Sequence, residues 1–253
     1  MKKFLITAAM ALGLGTSAAS AAPVNIGGVD INPGQNRLVT STLYETAVQN
    51  LGDVLSGFGI VNTNTSAISG ICAGCELTFE FGGFTLANIS APDLVGRVDL
   101  AFTGGWVNFY IDYNADWNPV APSLAQATDG ALWLSLAGHT DLHNGVLGTL
   151  FSDDVSNFGT GTDTGNSGLA LFDVTGGMAA GNFNTDGVAD NLGGLADFLF
   201  TSSFGPSGGE AGPGFPISGT GNLRGTIVSE PAALGLLGLG LIGMAAVARR
   251  RKG

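Results

Sequence analysis

Between residues 22 and 228, short runs alternate apolar with polar side chains, and Gly, Asn and Asp cluster between the runs. Alternation with a period of two puts successive side chains on opposite faces of an extended chain, so each run reads as a β-strand. The expected strands cover residues 37–44, 54–61, 76–81, 97–102, 106–113, 131–136, 146–151, 169–174, 198–203 and 223–228. Glu76-Leu77-Thr78-Phe79-Glu80-Phe81 shows the alternation plainly. Phe79 and Phe81 fall on one face, as do Phe109, Ile111 and Tyr113, and both sets are core candidates. No stretch holds a 3.6-residue period beyond two or three turns. Short strands with turn chemistry between them, in a segment of about 200 residues, predict one all-β domain. The expected architecture is an antiparallel β-sandwich or jelly roll, not an α/β enzyme fold.

Both ends break the pattern. Met1-Lys2-Lys3 is followed by an apolar run from Phe4 to Gly15 and by the small residues Ala19-Ser20-Ala21. This is the layout of a secretory signal helix cleaved after Ala21, so residues 1–21 are read as a signal peptide. At the other end, Ala232 to Ala248 carries no ionisable side chain. A helix rising about 1.5 Å per residue would take this segment most of the way across a hydrocarbon core of about 30 Å. Arg249-Arg250-Arg251-Lys252 follows it, and basic residues beside a span are retained on the cytoplasmic side. The chain therefore divides into a signal peptide (1–21), a β-rich extracytoplasmic domain (22–228) and a tail (229–253). The tail holds a transmembrane helix over 232–248 and a basic end over 249–252. Pro231 suits the first turn of that helix, and Glu230 lies beside the positive end of its dipole.

Glu230-Pro231, the Leu/Gly-rich span from Leu234 to Gly243 and the terminal arginine cluster resemble the PEP-CTERM sorting signal of Gram-negative bacteria. One departure is visible: Ser229 stands where that motif usually has its first Pro. The resemblance implies that Ser229, Glu230, Pro231, Arg249, Arg250 and Arg251 form a sorting motif read by an exosortase-like membrane protease. It also implies an exported chain, anchored in the inner membrane as a precursor and then carried to the cell surface or the medium. Exopolysaccharide and biofilm are the usual setting of such proteins.

Composition narrows the partners of the middle segment. It has three cations, Arg37, Arg97 and Arg224, against 19 acids (all 20 of the chain except Glu230), which leaves −16, and it has no Lys. Such a surface repels phosphate backbones, so nucleic-acid binding is excluded, while cations and neutral polymers remain open as partners. Cys72 and Cys75 are the two cysteines, and in an oxidising compartment they are expected to pair as a turn staple.

Several groups of residues are candidates for chemistry. Asn182, Asn184, Asp186 and Asp190, with Gly187 at the sixth position, follow the order of a calcium loop. That loop lacks a carboxylate at its twelfth position, which is Gly193. Asp112, Asn114 and Asp116 form a second, shorter set, and no other cofactor is expected. His139, Asp141 and His143 share one face if extended, although Gly138 and Asn144-Gly145 argue for turns and exposed histidines. Gly205-Pro206-Ser207-Gly208-Gly209 has the letters of a nucleophile elbow but no helix-forming sequence behind it. Trp106, Trp117 and Trp133 are candidates for stacking on sugars. These features favour a non-enzymatic exported protein with a structural or adhesive role in an exopolysaccharide matrix. The alternative is a secreted polysaccharide hydrolase using a carboxylate pair, Asp112 with Asp116 or Glu76 with Glu80. For the latter pair, a solvated strand face is the simpler expectation.

Overall fold

The computed structural model describes residues 23–33, 37–65 and 67–227. The expected signal peptide and the sorting tail lie outside the described residues, and so does the expected span over 232–248. Among the described residues no helix is long and apolar enough to cross a membrane.

The chain begins with two short strands, β1 (Val24–Ile26) and β2 (Val29–Ile31), then β3 (Arg37–Glu45), β4 (Val54–Asn62) and β5 (Ile68–Ile71). Two long strands follow, β6 (Glu76–Ile89) and β7 (Val98–Asp112), then a short helix α1 (Leu124–Thr128) and β8 (Ala131–His139). A small hairpin, β9 (Asp141–His143) and β10 (Val146–Gly148), leads to β11 (Leu150–Val155) and β12 (Gly165–Gly176). After α2 (Ala180–Phe183), β13 (Val188–Ala189) and β14 (Leu195–Ala196) come the last two strands, β15 (Phe198–Pro206) and β16 (Ile217–Gly225).

The antiparallel all-β reading holds, but the sheet closes on itself. Strands pair in the order β11-β12-β15-β16-β3-β4-β6-β7, and β11 pairs back to β7, which gives an eight-stranded antiparallel barrel. This corrects the expected sandwich or jelly roll. Closure depends on β16 finding β3 (Asn222 opposite Val39), a pairing between the two ends of the domain that local alternation does not encode. Closure also removes the exposed edges that two open sheets would leave. The position between β7 and β12 is filled in two pieces. β8 lies beside the later half of β7, through Val107 opposite Leu136, and β11 beside the earlier half, through Leu150 opposite Phe102. The β9–β10 hairpin is an excursion from this divided strand.

Residues 97–102 and 106–113, expected as separate strands, belong to the one strand β7. Gly104 and Gly105 between them have φ of +73° and +89°, which a side chain with a Cβ adopts only under strain. The sequence reads that pair as a turn. Instead, cavity-lining residues switch from even (Leu100, Phe102) to odd (Val107, Phe109) across it. On β6 the opposite change occurs across Gly82-Gly83, from Phe79 and Phe81 to Phe84. Gly82 faces Trp106 and Phe84 faces Gly104, so the two glycine pairs form one corner of the barrel wall. Residues 146–151, expected as one strand, divide at Thr149, whose hydroxyl donates to the Gly104 carbonyl at 2.6 Å.

The core fills the barrel and one of its ends. Where β6 starts and β7 finishes, the sheet β1-β2-β5 adds Ile26, Val29, Ile31 and Ile68 to the barrel core. Trp133 is fully buried there, donating Nε1–H to the Ile26 carbonyl at 2.9 Å and packing edge-on against Phe183. A second, smaller cluster of Tyr44, Phe58 and Ala127, with Trp117 and Phe215 packed on it, is covered by α1 and the loops around it.

Candidate functional site

An eight-stranded barrel is just wide enough for side chains to fill it or to hold one small ligand. Here a cavity of about 100 Å³ remains inside, walled by Phe79, Phe84, Phe102, Phe109, Phe172 and Phe200. Glu45, Ser152 and Asp163 also line it, which gives an apolar chamber one polar edge. Asp163 accepts the Gly159 N–H at 2.7 Å through Oδ1, while its Oδ2 and the Ser152 hydroxyl are buried without a partner among the described residues. Glu45 is pushed up to about 8, first by desolvation and then by the charge of Asp163. Near neutral pH it is therefore mostly a neutral carboxylic acid.

A second polar centre stands where β6 starts. Glu76, 7% exposed, brings its carboxyl group to within 4.8 Å of carboxylate oxygens of Asp112 and Asp116. Cross-strand register brings the first two together, since Glu76 lies opposite Asp112. The loop beyond β7 then folds back. The Ala115 N–H donates to the Gly74 carbonyl at 2.8 Å and the Trp117 N–H to Glu76 Oε2 at 3.1 Å. Burial raises the Glu76 pKa; the N–H groups of Trp117 and Asp116 oppose this, and the charges of Asp116 and Asp112 add to it. The Cys72–Cys75 disulfide forms as expected, with Cα atoms 5.3 Å apart, immediately before this glutamate.

Glu76 and Glu80 do not form the solvated pair that their spacing suggests. Glu76 is buried under the 113–117 loop, whereas Glu80 accepts a hydrogen bond from the Tyr110 hydroxyl at 2.6 Å. That hydroxyl is pushed up to about 12 by burial and then by Glu80. Alternation alone hides the difference, because the covering loop is remote in sequence from the strand it covers.

The histidines diverge. His139 Nδ1 lies 2.9 Å from both carboxylate oxygens of Asp173, and its Nε2 lies 2.9 Å from Asp190. His143 Nε2 meets Asp153 at 2.8 Å, and Asp141 accepts from the N–H groups of Leu142 and Asn191. The expected exposed loop histidines are therefore part-buried, each with its ring against carboxylates. In the calcium-like loop, Asn182 belongs to α2 and Asn184 caps it, with its N–H on the Ala180 carbonyl. Asp186 stands at φ +48° with its N–H on Asp197, and Asp190 turns to His139 and to the N–H groups of Leu192 and Gly194. Of the tryptophans, Trp133 is core, Trp117 packs on Phe58, and Trp106 is 37% exposed against Gly82 and Gly83. Ser207, expected to be a chance match, directs its hydroxyl at the Phe215 carbonyl.

Residues 228–252 match the family model described as the PEP-CTERM protein-sorting motif. The chain carries a PEP-CTERM tail. This segment contains Ser229, Glu230, Pro231, Arg249, Arg250 and Arg251, the residues the resemblance singled out. No curated protein and no solved structure matches the chain. A PEP-CTERM protein is exported, membrane-anchored before processing, and a substrate for exosortase. The tail begins at residue 228, three positions beyond the end of β16, the strand that closes the barrel.

Proposed function

We propose that this PEP-CTERM protein is a non-catalytic surface or matrix component: a closed β-barrel exported as cargo, released or re-anchored by exosortase, and associated with exopolysaccharide. The observation that carries this reading is the sorting motif placed directly behind the closing strand of the barrel. A closed barrel presents no free sheet edge for pairing with other chains. The lysine-free middle segment favours neutral or cation-bridged polymers over anionic ones. Trp106 and Tyr113, the latter expected in the core with Phe109 and Ile111 but exposed just past the end of β7, offer aromatic faces on which sugar rings can stack. Of the two carboxylate pairs considered for hydrolysis, Glu76 and Glu80 already serve other contacts, Glu80 with Tyr110 and Glu76 with the loop above it.

The test compares the native host with a strain lacking the sorting protease. Intact-mass measurement should show a shortened C-terminus only when the protease is present, and fractionation should move the barrel from the membrane to the polysaccharide matrix. An identical C-terminus and distribution in the two strains would refute the sorting role. Equal retention on host polysaccharide by wild type and a Trp106→Ala, Tyr113→Ala double variant would remove the aromatic contribution.

A further inference from the structure

We propose that Glu76, Asp112 and Asp116 form a calcium site that fastens the 113–117 loop to the end of the barrel. The three side chains bring carboxylate oxygens to within 4.8 Å of one another. Like charges so close repel unless a cation or a proton stands between them. No lysine exists in the segment, and none of the ion pairs among the described residues reaches this group. A second observation points the same way. Glu76 is more than nine-tenths buried, and its Oε1 has no hydrogen-bond partner among the described residues, although Oε2 takes the Trp117 N–H. A buried carboxylate oxygen without a donor is costly, and an ion bound there would satisfy it.

The donor set selects the ion. All three donors are carboxylate oxygens, with no imidazole or thiolate among them, which suits hard cations and disfavours zinc or copper. Calcium binds oxygens at about 2.3–2.6 Å, so its shell accommodates donors up to about 5 Å apart. Magnesium, at about 2.0–2.1 Å, accommodates donors only about 4 Å apart and demands octahedral order. The surroundings are built to hold a loop in place. The Asn114 N–H donates to Asp112 Oδ1 at 3.0 Å, and Gln126 Nε2 on α1 donates to the Asp116 carbonyl at 2.8 Å. A bound cation would join the start of β6, the end of β7 and the approach to α1, next to the disulfide. The sequence set Asp112 and Asp116 side by side, but their third partner comes from 36 positions earlier and is visible only through strand register.

The full-length chain, purified in detergent and stripped with EDTA, is titrated with calcium chloride by calorimetry, and its thermal midpoint is followed with and without calcium. One calcium per chain and a raised midpoint are expected. Glu76→Gln and Asp116→Asn should each weaken binding about tenfold or more, because charge count sets affinity in such sites. Asp186→Asn, in the calcium-like loop, should leave it unchanged. Asp116 is exposed, so its variant tests the site even if Glu76→Gln misfolds. No heat and no shift with wild type would overturn the proposal. So would loss of binding in Asp186→Asn with Asp116→Asn unaffected, or magnesium binding as tightly as calcium.

Discussion

Replacing Glu45 by Gln should stabilise the protein, and the gain should grow with pH. Glu45 ionises near 4.5 when free but at about 8 inside the barrel, because its charged form has been taken out of water beside Asp163. A carboxyl whose pKa is raised on folding binds its proton more tightly in the folded state. As pH rises above the unfolded value the unfolded chain ionises first, so stability falls until the folded pKa is passed. Each pKa unit corresponds to about 1.4 kcal/mol, so the penalty is near zero at pH 4, about 3 kcal/mol at pH 7 and about 5 kcal/mol above pH 8. Gln keeps the shape and does not titrate. Urea unfolding of both proteins, followed by tryptophan fluorescence from pH 4 to pH 9, measures the difference directly. Other titrating groups, His139 among them, are common to the two proteins and cancel. A gap that stays constant across that range, or a variant less stable than wild type at pH 8, would show that Glu45 is not held neutral by burial.

Gly105→Ala should fail to accumulate as folded protein, because its φ is +89° and a Cβ would collide with the Phe84 ring; Gly74→Ala, at φ +76° in open space, should cost only about 1 kcal/mol. Both are read by soluble yield and urea midpoint. Trp133→Ala should cost about 3–5 kcal/mol in the same assay, since it empties a fully buried site and leaves the Ile26 carbonyl without its donor. Burial alone would lower the pKa of His139, but its bonds to Asp190 and Asp173 outweigh this and hold it above the ordinary value. Its contribution to stability is therefore complete below about pH 6.5 and lost as pH rises through the elevated pKa. A histidine NMR titration should show that elevation, and His139→Gln should flatten the matching part of the stability profile. Reducing Cys72–Cys75, or replacing Cys75 by Ser, should cost about 2 kcal/mol from loop entropy, detected as a lower urea midpoint.

Most strands were legible because alternation is local: the Phe79-Glu80-Phe81 register and the span from Val54 to Val61 stand where the period places them. Two of the strand bounds failed where a glycine pair had two meanings. Gly104-Gly105 signals a turn in isolation, and only its pairing with Gly82-Gly83 makes it a corner within one strand. Short strands such as β13 and β14 carry too few residues for any period to show. The candidate site was half visible. Asp112 and Asp116 are near neighbours in the chain, whereas Glu76 looked like one member of a solvated face until the 113–117 loop covered it.

The sequence by itself determined how the protein is addressed, since an ordered motif, an apolar run and a block of arginines act as a linear signal. It also determined strand content, an acidic lysine-free surface and the disulfide of Cys72 with Cys75, all of which depend on neighbours in the chain. Tertiary structure alone decided that the sheet closes, that a neutral glutamate faces a cavity inside it, and that three carboxylates meet at its end. Each of these depends on contacts between residues far apart in sequence. Their free energies come from burial and from charges brought together, and neither exists until the chain has folded.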